Sequence, residues 1–310
     1  MISCTEFIPA YSELFTYLEE KCGRREVDEF WRYLFAPTGK GIPLVNHLLA
    51  EGIRGAFTYW SGSLNEEAAD FTLYLNEKAG WFSLVMHRCP SKGRLLELSE
   101  TIGITPYHDY CLHCDSYRSA VEKIGLKYVY DFKGIDRASC SILIYDPKKF
   151  DGRVIVDENT EIMDRRASEN EYFHKDFHSS MNMGIHYLGE NLGREAVREY
   201  LTRFTERVYG AELLKVGREG NGALVEFIKQ TYVKERAKEL VSFSENDGVL
   251  TVKVSECPAV KHLVATGREV SPWFLYTTTV PMERFAEELK KRFELVFYNA
   301  ETGEAEYKFV

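Results

Sequence analysis

Hydrophobic side chains recur at helical spacing early in the chain and at strand spacing farther along it. Residues 11–35 carry apolar side chains every three to four positions, which predicts two helices separated at Gly23. Residues 44–60 follow the same period and predict one further helix. The period then falls to two, so residues 71–90 predict a β-hairpin that turns at Gly80. The pattern continues with a helix over 93–99, a helix over 116–124 and a hairpin over 127–145.

The second half of the chain repeats this order, which indicates a tandem duplication. The matched positions are Gly23 with Gly193, Gly80 with Gly248, Cys89-Pro90 with Cys257-Pro258, and Tyr110 with Tyr276. We therefore predict an α+β fold, a tandem duplication of a domain in which N-terminal helices pack on a twisted antiparallel sheet. The predicted limits are 1–146 for the first repeat, 147–172 for a charged linker and 173–310 for the second repeat.

Composition indicates which classes of binding partner are disfavoured and which cellular compartment is expected. The 310 residues carry a formal net charge of -9, which disfavours nucleic acid and anionic membranes as partners. The sequence has no signal-peptide pattern and no apolar run long enough to span a bilayer. Its seven cysteines are an odd number, which is typical of free thiols in a reducing compartment. We expect a cytoplasmic protein that acts on a small-molecule substrate, and association into a homo-oligomer stays open.

One segment concentrates the side chains that titrate near neutrality or bind metals. Within eight residues it contains His108, Cys111, His113, Cys114 and Asp115, and Cys140 follows in the next hairpin. The second half has TTTVP at 277–281 instead of this cluster. Residues that both halves share are expected to build the fold, so the residues present in one half only are the better candidates for function. We expect the site in the first repeat and a degenerate copy in the second.

These motifs resemble the L-2-amino-thiazoline-4-carboxylic acid hydrolase family. The resemblance rests on Arg88-Cys89-Pro90, on Cys111 to Asp115, and on Gly134, Asp136 and Cys140. It implies hydrolysis of a C–S or C–N bond in a small carboxylated heterocycle. The chain is also similar, more loosely, to the small-ligand-binding domains of the 4-vinyl-reductase type, which implies ligand binding without catalysis.

The hydrolase resemblance implies a role for each candidate residue. Cys111 or Cys114 would attack the substrate, with His108 or His113 lowering the thiol pKa, and Cys140 belongs to the same catalytic set. Asp115 would pair with an amidinium group. For substrate binding the candidates are Tyr110, Asp136 and Arg137, and a guanidinium suits a carboxylate.

A metal site is the open alternative. Cys111 and Cys114 have C-x-x-C spacing, and His87, His108 or Cys140 can complete the ligands of zinc or another divalent metal ion. The corresponding function is a non-catalytic ligand- or metal-binding protein, sensory or a metallochaperone. Buried, unreactive cysteines are the structural alternative to both.

Other titratable residues are assigned to the fold. His174 and His178 have helical i, i+4 spacing, and His186 follows, but a buried helix face explains them more simply than a metal site does. Cys4, Cys22 and Cys257 are expected to take no part in the site.

Overall fold

The computed structural model describes residues 1–35 and 41–310, which form an α+β protein as the sequence predicts. Contacts divide it into two compact units. Residues 18–174 form the central unit, and residues 1–17 together with 175–310 form the terminal unit. Residues 1–17, which we predict in the first repeat, therefore belong to the terminal unit.

The helices and strands follow the order that the hydrophobic periods predict. In the first part of the chain they are α1 (Phe7–Cys22), α2 (Arg24–Leu34), α3 (Gly41–Glu51), α4 (Arg54–Glu66), β1 (Asp70–Asn76), β2 (Trp81–Arg88), α5 (Pro90–Ile102), α6 (Tyr117–Lys123), β3 (Lys127–Asp131), β4 (Cys140–Tyr145) and β5 (Glu161–Arg166). In the second part they are α7 (Phe177–Leu192), α8 (Arg194–Val208), α9 (Gly210–Glu219), α10 (Asn221–Lys234), β6 (Val241–Asn246), β7 (Val249–Val254), α11 (Pro258–Ala265), α12 (Tyr276–Glu288), β8 (Phe293–Tyr298) and β9 (Ala305–Phe309).

Each unit contains one antiparallel sheet, and the two sheets share a strand order. The central sheet runs β3-β4-β2-β1-β5, and the terminal sheet runs β8-β9-β7-β6 when it is followed from the corresponding hairpin. In both units a cysteine is the N-cap of a helix whose first residue is proline, Cys89 before α5 and Cys257 before α11. A duplication would produce this agreement, and the duplication itself stays a prediction.

Glycines end two of the helices where the sequence predicts a break. Gly23 and Gly193 have φ of 85° and 84°, which a residue with a Cβ rarely adopts. The single helix predicted over 44–60 is wrong, because the chain breaks at Gly52 (φ 63°) into α3 and α4. These two helices cross closely at Gly55, where an added Cβ would lie 2.2 Å from the backbone of His47.

The predicted linker also contributes to the central sheet. Its residues 161–166 form β5, which pairs with β1 along the edge of the sheet. Asp70 fixes the chain beyond this strand, because its carboxylate accepts hydrogen bonds from the N–H groups of Ala167 (2.7 Å) and Ser168 (2.9 Å). Most side chains of β5 are exposed, so its sequence lacks the apolar alternation that identifies a strand.

The core of the central unit lies between α4 and one face of the sheet. Trp60 of α4 stacks on Phe82 of β2, with ring centroids 5.5 Å apart. Three of the cysteines, Cys89, Cys114 and Cys140, pack against the edge of this core. None of the described helices is long and apolar enough to cross a membrane.

Candidate functional site

Four residues of the predicted cluster, Cys111, His113, Cys114 and Asp115, lie on a 3₁₀ helix, Tyr110–Ser116. A 3₁₀ helix has three residues per turn, so side chains at i and i+3 are directly above one another. Cys111 and Cys114 therefore share one face, and Tyr110 and His113 share another. The C-x-x-C spacing thus brings the two thiols together, as the sequence suggests.

Four cysteines from three segments converge at this point. They are Cys89 at the N-cap of α5, Cys111 and Cys114 of the 3₁₀ helix, and Cys140 at the start of β4. Each thiol is close enough to at least one other for the ionisation of one to raise the pKa of its neighbour. We call these four residues the thiol cluster. Among the described residues, no three of its sulfur atoms all lie within 4.8 Å of one another.

Burial keeps the thiol cluster protonated. It raises the pKa of Cys89 and of Cys111 to about 12 and that of Cys140 to about 11, and it raises the pKa of Cys114 well above its ordinary value. A thiol attacks as its thiolate, so these shifts work against a nucleophilic role at neutral pH. A bound cation would reverse them, because a metal ion deprotonates a coordinating thiol.

His113 is the imidazole that reaches the thiol cluster. Its Nε2 lies 3.5 Å from the Sγ of Cys114, and its Nδ1 hydrogen-bonds the carbonyl of Tyr110. The Tyr110 ring is buried against the His113 ring, with centroids 4.8 Å apart, so Tyr110 positions His113. If Nδ1 carries the proton that the carbonyl accepts, Nε2 is the acceptor toward Cys114.

Asp115 forms an ion pair with Arg118. Its carboxylate binds the guanidinium of Arg118 in a fork, with distances of 2.6 and 3.2 Å, and Arg118 also donates to the carbonyl of Tyr128 at 2.6 Å. The Tyr128 hydroxyl in turn donates to the carbonyl of Cys114. These bonds tie the 3₁₀ helix to β3, and the pairing of Asp115 with an amidinium stays a prediction.

The structure separates two predicted histidines from the thiol cluster. His108 is 64% exposed and faces Glu19 and Asp109, each at 3.7 Å. His87 is exposed and hydrogen-bonds the hydroxyl of Thr72. His87 follows Met86, whose side chain faces the core. Because successive side chains of a strand point to opposite faces, His87 lies on the face of the sheet away from this core.

Asp136 and Arg137 lie in a short 3₁₀ turn, Ile135–Arg137, and both are exposed. Asp136 is near enough to Cys111 for its charge to raise the pKa of that thiol. No described contact connects Arg137 to the thiol cluster. The turn begins after Gly134, whose φ of 99° requires glycine.

A polar cavity of about 220 Å³ adjoins the thiol cluster. We call it the arginine pocket; its lining includes Glu67, Arg88, Cys89, Arg94, Glu97 and Tyr172. The guanidinium of Arg94 lies 5.0 Å from the centre of the Tyr172 ring, and its Nε is buried without a hydrogen bond to the described residues. The Nη2 atom of Arg88 lies 3.9 Å from Oε2 of Glu97. Two guanidinium groups and two carboxylates suit a small ligand that carries both charges.

Cys89, which the sequence assigns to the fold, also lies at the candidate site. It belongs to the thiol cluster and to the arginine pocket, yet its match with Cys257 suggests a structural residue. The structural prediction is confirmed: its Sγ accepts a hydrogen bond from the N–H of Lys92 at 3.4 Å, and its own N–H donates to the carbonyl of Ala138. The Cys-Pro pair is the signal that marks this N-cap.

The terminal unit contains a second cluster that sequence spacing does not reveal. Cys4, His178 and Glu235 have ligand atoms that all lie within 4.8 Å of one another. His174 does not share a helix with His178, because it precedes α7 and pairs with Glu66 at 2.6 Å. His186 is half-buried on α7.

Comparisons with known proteins leave the family resemblance as a prediction. No protein-family model matches the sequence, no curated protein is significantly similar to it, and no solved structure matches it.

Proposed function

We propose that the central unit binds a small carboxylated molecule in the arginine pocket and a soft divalent metal ion, such as zinc, at the thiol cluster. The observation that carries this proposal is that Cys89 belongs to both places and that Glu67 of the arginine pocket lies near enough to the thiol cluster for its charge to act on the thiols. Cys89 is a member of the thiol cluster, and the charge of Glu67 raises the pKa of Cys89 and Cys114. Both residues line the arginine pocket.

The chemistry of the thiol cluster supports the metal. Four cysteines are a ligand set that zinc and iron accept. A Zn–S distance of about 2.3 Å requires sulfur atoms roughly 3.8 Å apart, so binding would draw the 3₁₀ helix and the N-cap of α5 together. His87 and His108, which we expected as ligands from the sequence, are not needed for a four-cysteine site.

Metal analysis of the purified protein tests this proposal. We expect about one equivalent of zinc or iron at the thiol cluster, and a charge-transfer absorption between thiolate and metal when Cd²⁺ is added. Cys114→Ser should lower the metal content by about one equivalent and should reduce the absorption. Cys22→Ser is the matched control, because Cys22 is an exposed thiol of the same unit. Absence of metal in the wild type, together with no absorption on addition of Cd²⁺, would refute the metal site.

A hydrolase is the second candidate, and the arginine pocket is the observation that favours it. A 2-aminothiazoline-4-carboxylate carries a carboxylate for Arg94 or Arg88 and an amidine for Glu67. In the hydrolysis that the resemblance implies, water adds to the amidine carbon, the C–S bond breaks, and the sulfur leaves as a thiol on the N-carbamoyl product. The raised pKa values of the thiols favour attack by water over attack by cysteine.

Turnover distinguishes the two candidates. The metal-loaded protein is incubated with 2-aminothiazoline-4-carboxylate, and release of free thiol is measured beside binding by calorimetry. Binding with thiol release supports the hydrolase, and binding alone supports the ligand-binding protein. Arg94→Gln should weaken binding about tenfold or more, since it removes a charge-assisted contact. Arg153→Gln, which alters an exposed arginine paired with Asp151, should not.

A further inference from the structure

Three side chains from distant parts of the chain meet inside the terminal unit. Cys4 begins a 3₁₀ helix at Cys4–Glu6, His178 is the second residue of α7, and Glu235 is the C-cap of α10. All three are almost completely buried, with exposed fractions of 1%, 2% and 2%. Their sulfur, nitrogen and oxygen atoms lie within 4.8 Å of one another, so they surround one point.

The hydrogen bonds prepare the carboxylate of Glu235 for a ligand role. Its Oε1 accepts the backbone N–H of Cys4 at 2.6 Å, and its Oε2 lies 2.9 Å from Nε2 of His178. The Ser3 hydroxyl also hydrogen-bonds Glu235. One oxygen is therefore held in place by the chain that carries Cys4, and the other points toward the imidazole. A carboxylate ligand that is oriented in this way is typical of metal centres.

We propose that Cys4, His178 and Glu235 form a zinc site in the terminal unit, separate from the thiol cluster. A thiolate, an imidazole and a carboxylate are the three kinds of ligand that zinc takes in proteins. Typical bond lengths of about 2.0–2.3 Å place such ligand atoms roughly 3.3–3.8 Å apart, so small side-chain movements suffice. A fourth position remains for water or for His262, whose ring centroid is 6.4 Å from that of His178.

The proposed zinc site would stabilise the folded terminal unit more than a buried ion pair alone does. Cys4 is separated from Glu235 by 231 residues, and the site joins the start of the chain to α7 and α10. A buried ion pair is weak evidence for stability, since desolvation offsets the attraction between its charges. A bound metal adds its binding free energy to the folded state and would secure residues 1–17 to the rest of this unit.

Metal stoichiometry in defined variants tests the site. The double variant Cys89→Ser/Cys114→Ser disables the thiol cluster, so failure of the proposed function does not affect the result. In this background we expect one equivalent of Zn²⁺ per chain. Adding Cys4→Ser should weaken Zn²⁺ binding more than about 100-fold. Cys257→Ser is the matched control, because Cys257 is another buried thiol of the same unit, and it should leave the equivalent in place.

Two further measurements test the zinc site if Cys4→Ser does not fold. Co²⁺ added to the double variant should give the absorption of a single thiolate–cobalt bond. The same protein should melt at a higher temperature when Zn²⁺ is present than when a chelator is present. An unchanged melting temperature and no cobalt absorption would overturn the site, as would full zinc content in a folded Cys4→Ser protein.

Discussion

Met86 and Cys140 are directly opposite each other on β2 and β4, so their side chains lie on the same face of the central sheet. Met86 belongs to the core, and Cys140 packs against that core beside Cys89 and Cys114. His87, the next residue after Met86, consequently lies on the opposite face. This register places Cys140 on the same face as the other thiols, where it can bind a metal ion with them, and places His87 on the face where it cannot.

We therefore predict that Cys140→Ser and His87→Gln differ in metal content. Cys140→Ser removes a sulfur from the thiol cluster and should lower the zinc content by about one equivalent. His87→Gln replaces a side chain that hydrogen-bonds Thr72 on the other face, and it should retain all of it. Elemental analysis of both proteins after gel filtration is the measurement. Equal loss in both variants would contradict the assignment of faces.

The thiols of the metal-free protein should differ strongly in reactivity. Burial raises the pKa of Cys111 to about 12, whereas Cys22 is exposed. At pH 8 the thiolate fraction of Cys111 is then very small, so alkylation of Cys111 by iodoacetamide should be at least about 100-fold slower than that of a free thiol. Mass spectrometry of the peptides that contain Cys111 and Cys22, taken over time, gives the alkylation rates of the two thiols. Fast alkylation of Cys111 would restore the nucleophile hypothesis.

Acid should release β5 before it unfolds the central unit. Burial alone would raise the pKa of Asp70, but hydrogen bonds from Ser168 and Ala167 lower it below its ordinary value of 3.8. Because the folded pKa is the lower one, the contribution of Asp70 to stability is present above about pH 4 and is lost as the pH falls below it. Hydrogen exchange of residues 161–168 measures this release.

The matched variants for this prediction are Asp70→Asn and Glu158→Gln. Asp70→Asn removes the charge from the three hydrogen bonds that the Asp70 carboxylate accepts, from the N–H groups of Ala167 and Ser168 and from the Ser168 hydroxyl. It should reduce the free energy of local opening by about 1–3 kcal/mol at pH 7. Glu158 is an exposed carboxylate of the same segment, so Glu158→Gln should have little effect. Similar exchange in the two variants at pH 7 would show that Asp70 does not hold the strand.

Substitution by alanine at two glycines of α4 should change the free energy of unfolding in opposite directions. At Gly55 an added Cβ would lie 2.2 Å from the backbone of His47, so Gly55→Ala should lower the free energy of unfolding by about 1–3 kcal/mol. At Gly62 nothing lies within 4 Å, so Gly62→Ala should raise it by roughly 0.5–1 kcal/mol. Urea unfolding of the two variants provides the comparison. A stabilised Gly55→Ala protein would be inconsistent with the close crossing of α3 and α4.

Local patterns predicted the elements because their causes are local. Gly23 and Gly193 end helices through their own backbone conformation. The helix predicted over 93–99 begins earlier, at Pro90, because Cys89 caps it and proline has a fixed φ. The strand β5 was missed because an exposed edge strand needs no apolar alternation. The break at Gly52 was missed because the apolar period continues across it, and the crossing at Gly55 depends on a contact between two helices.

The candidate sites were predictable only where their residues are neighbours in sequence. Cys111 and Cys114 could be paired by spacing alone. His87 could have been excluded by strand alternation, had Met86 been assigned to the core first. Cys4 gave no signal of its own, because its relation to Glu235 arises from tertiary packing across most of the chain.

The thiol of Cys89 accepts the N–H of Lys92 in the first turn of α5, and Arg94 of the same helix lines the arginine pocket. Oxidation, alkylation or metal coordination of the Cys89 sulfur therefore affects the N-terminal end of α5, the helix that carries the Arg94 guanidinium. Thermodynamic linkage makes this influence mutual: if an occupied thiol cluster changes the affinity of the pocket by some factor, an occupied pocket changes the affinity of the cluster by the same factor. Anion concentration would then become a way to tune how firmly the thiol cluster retains a bound metal ion.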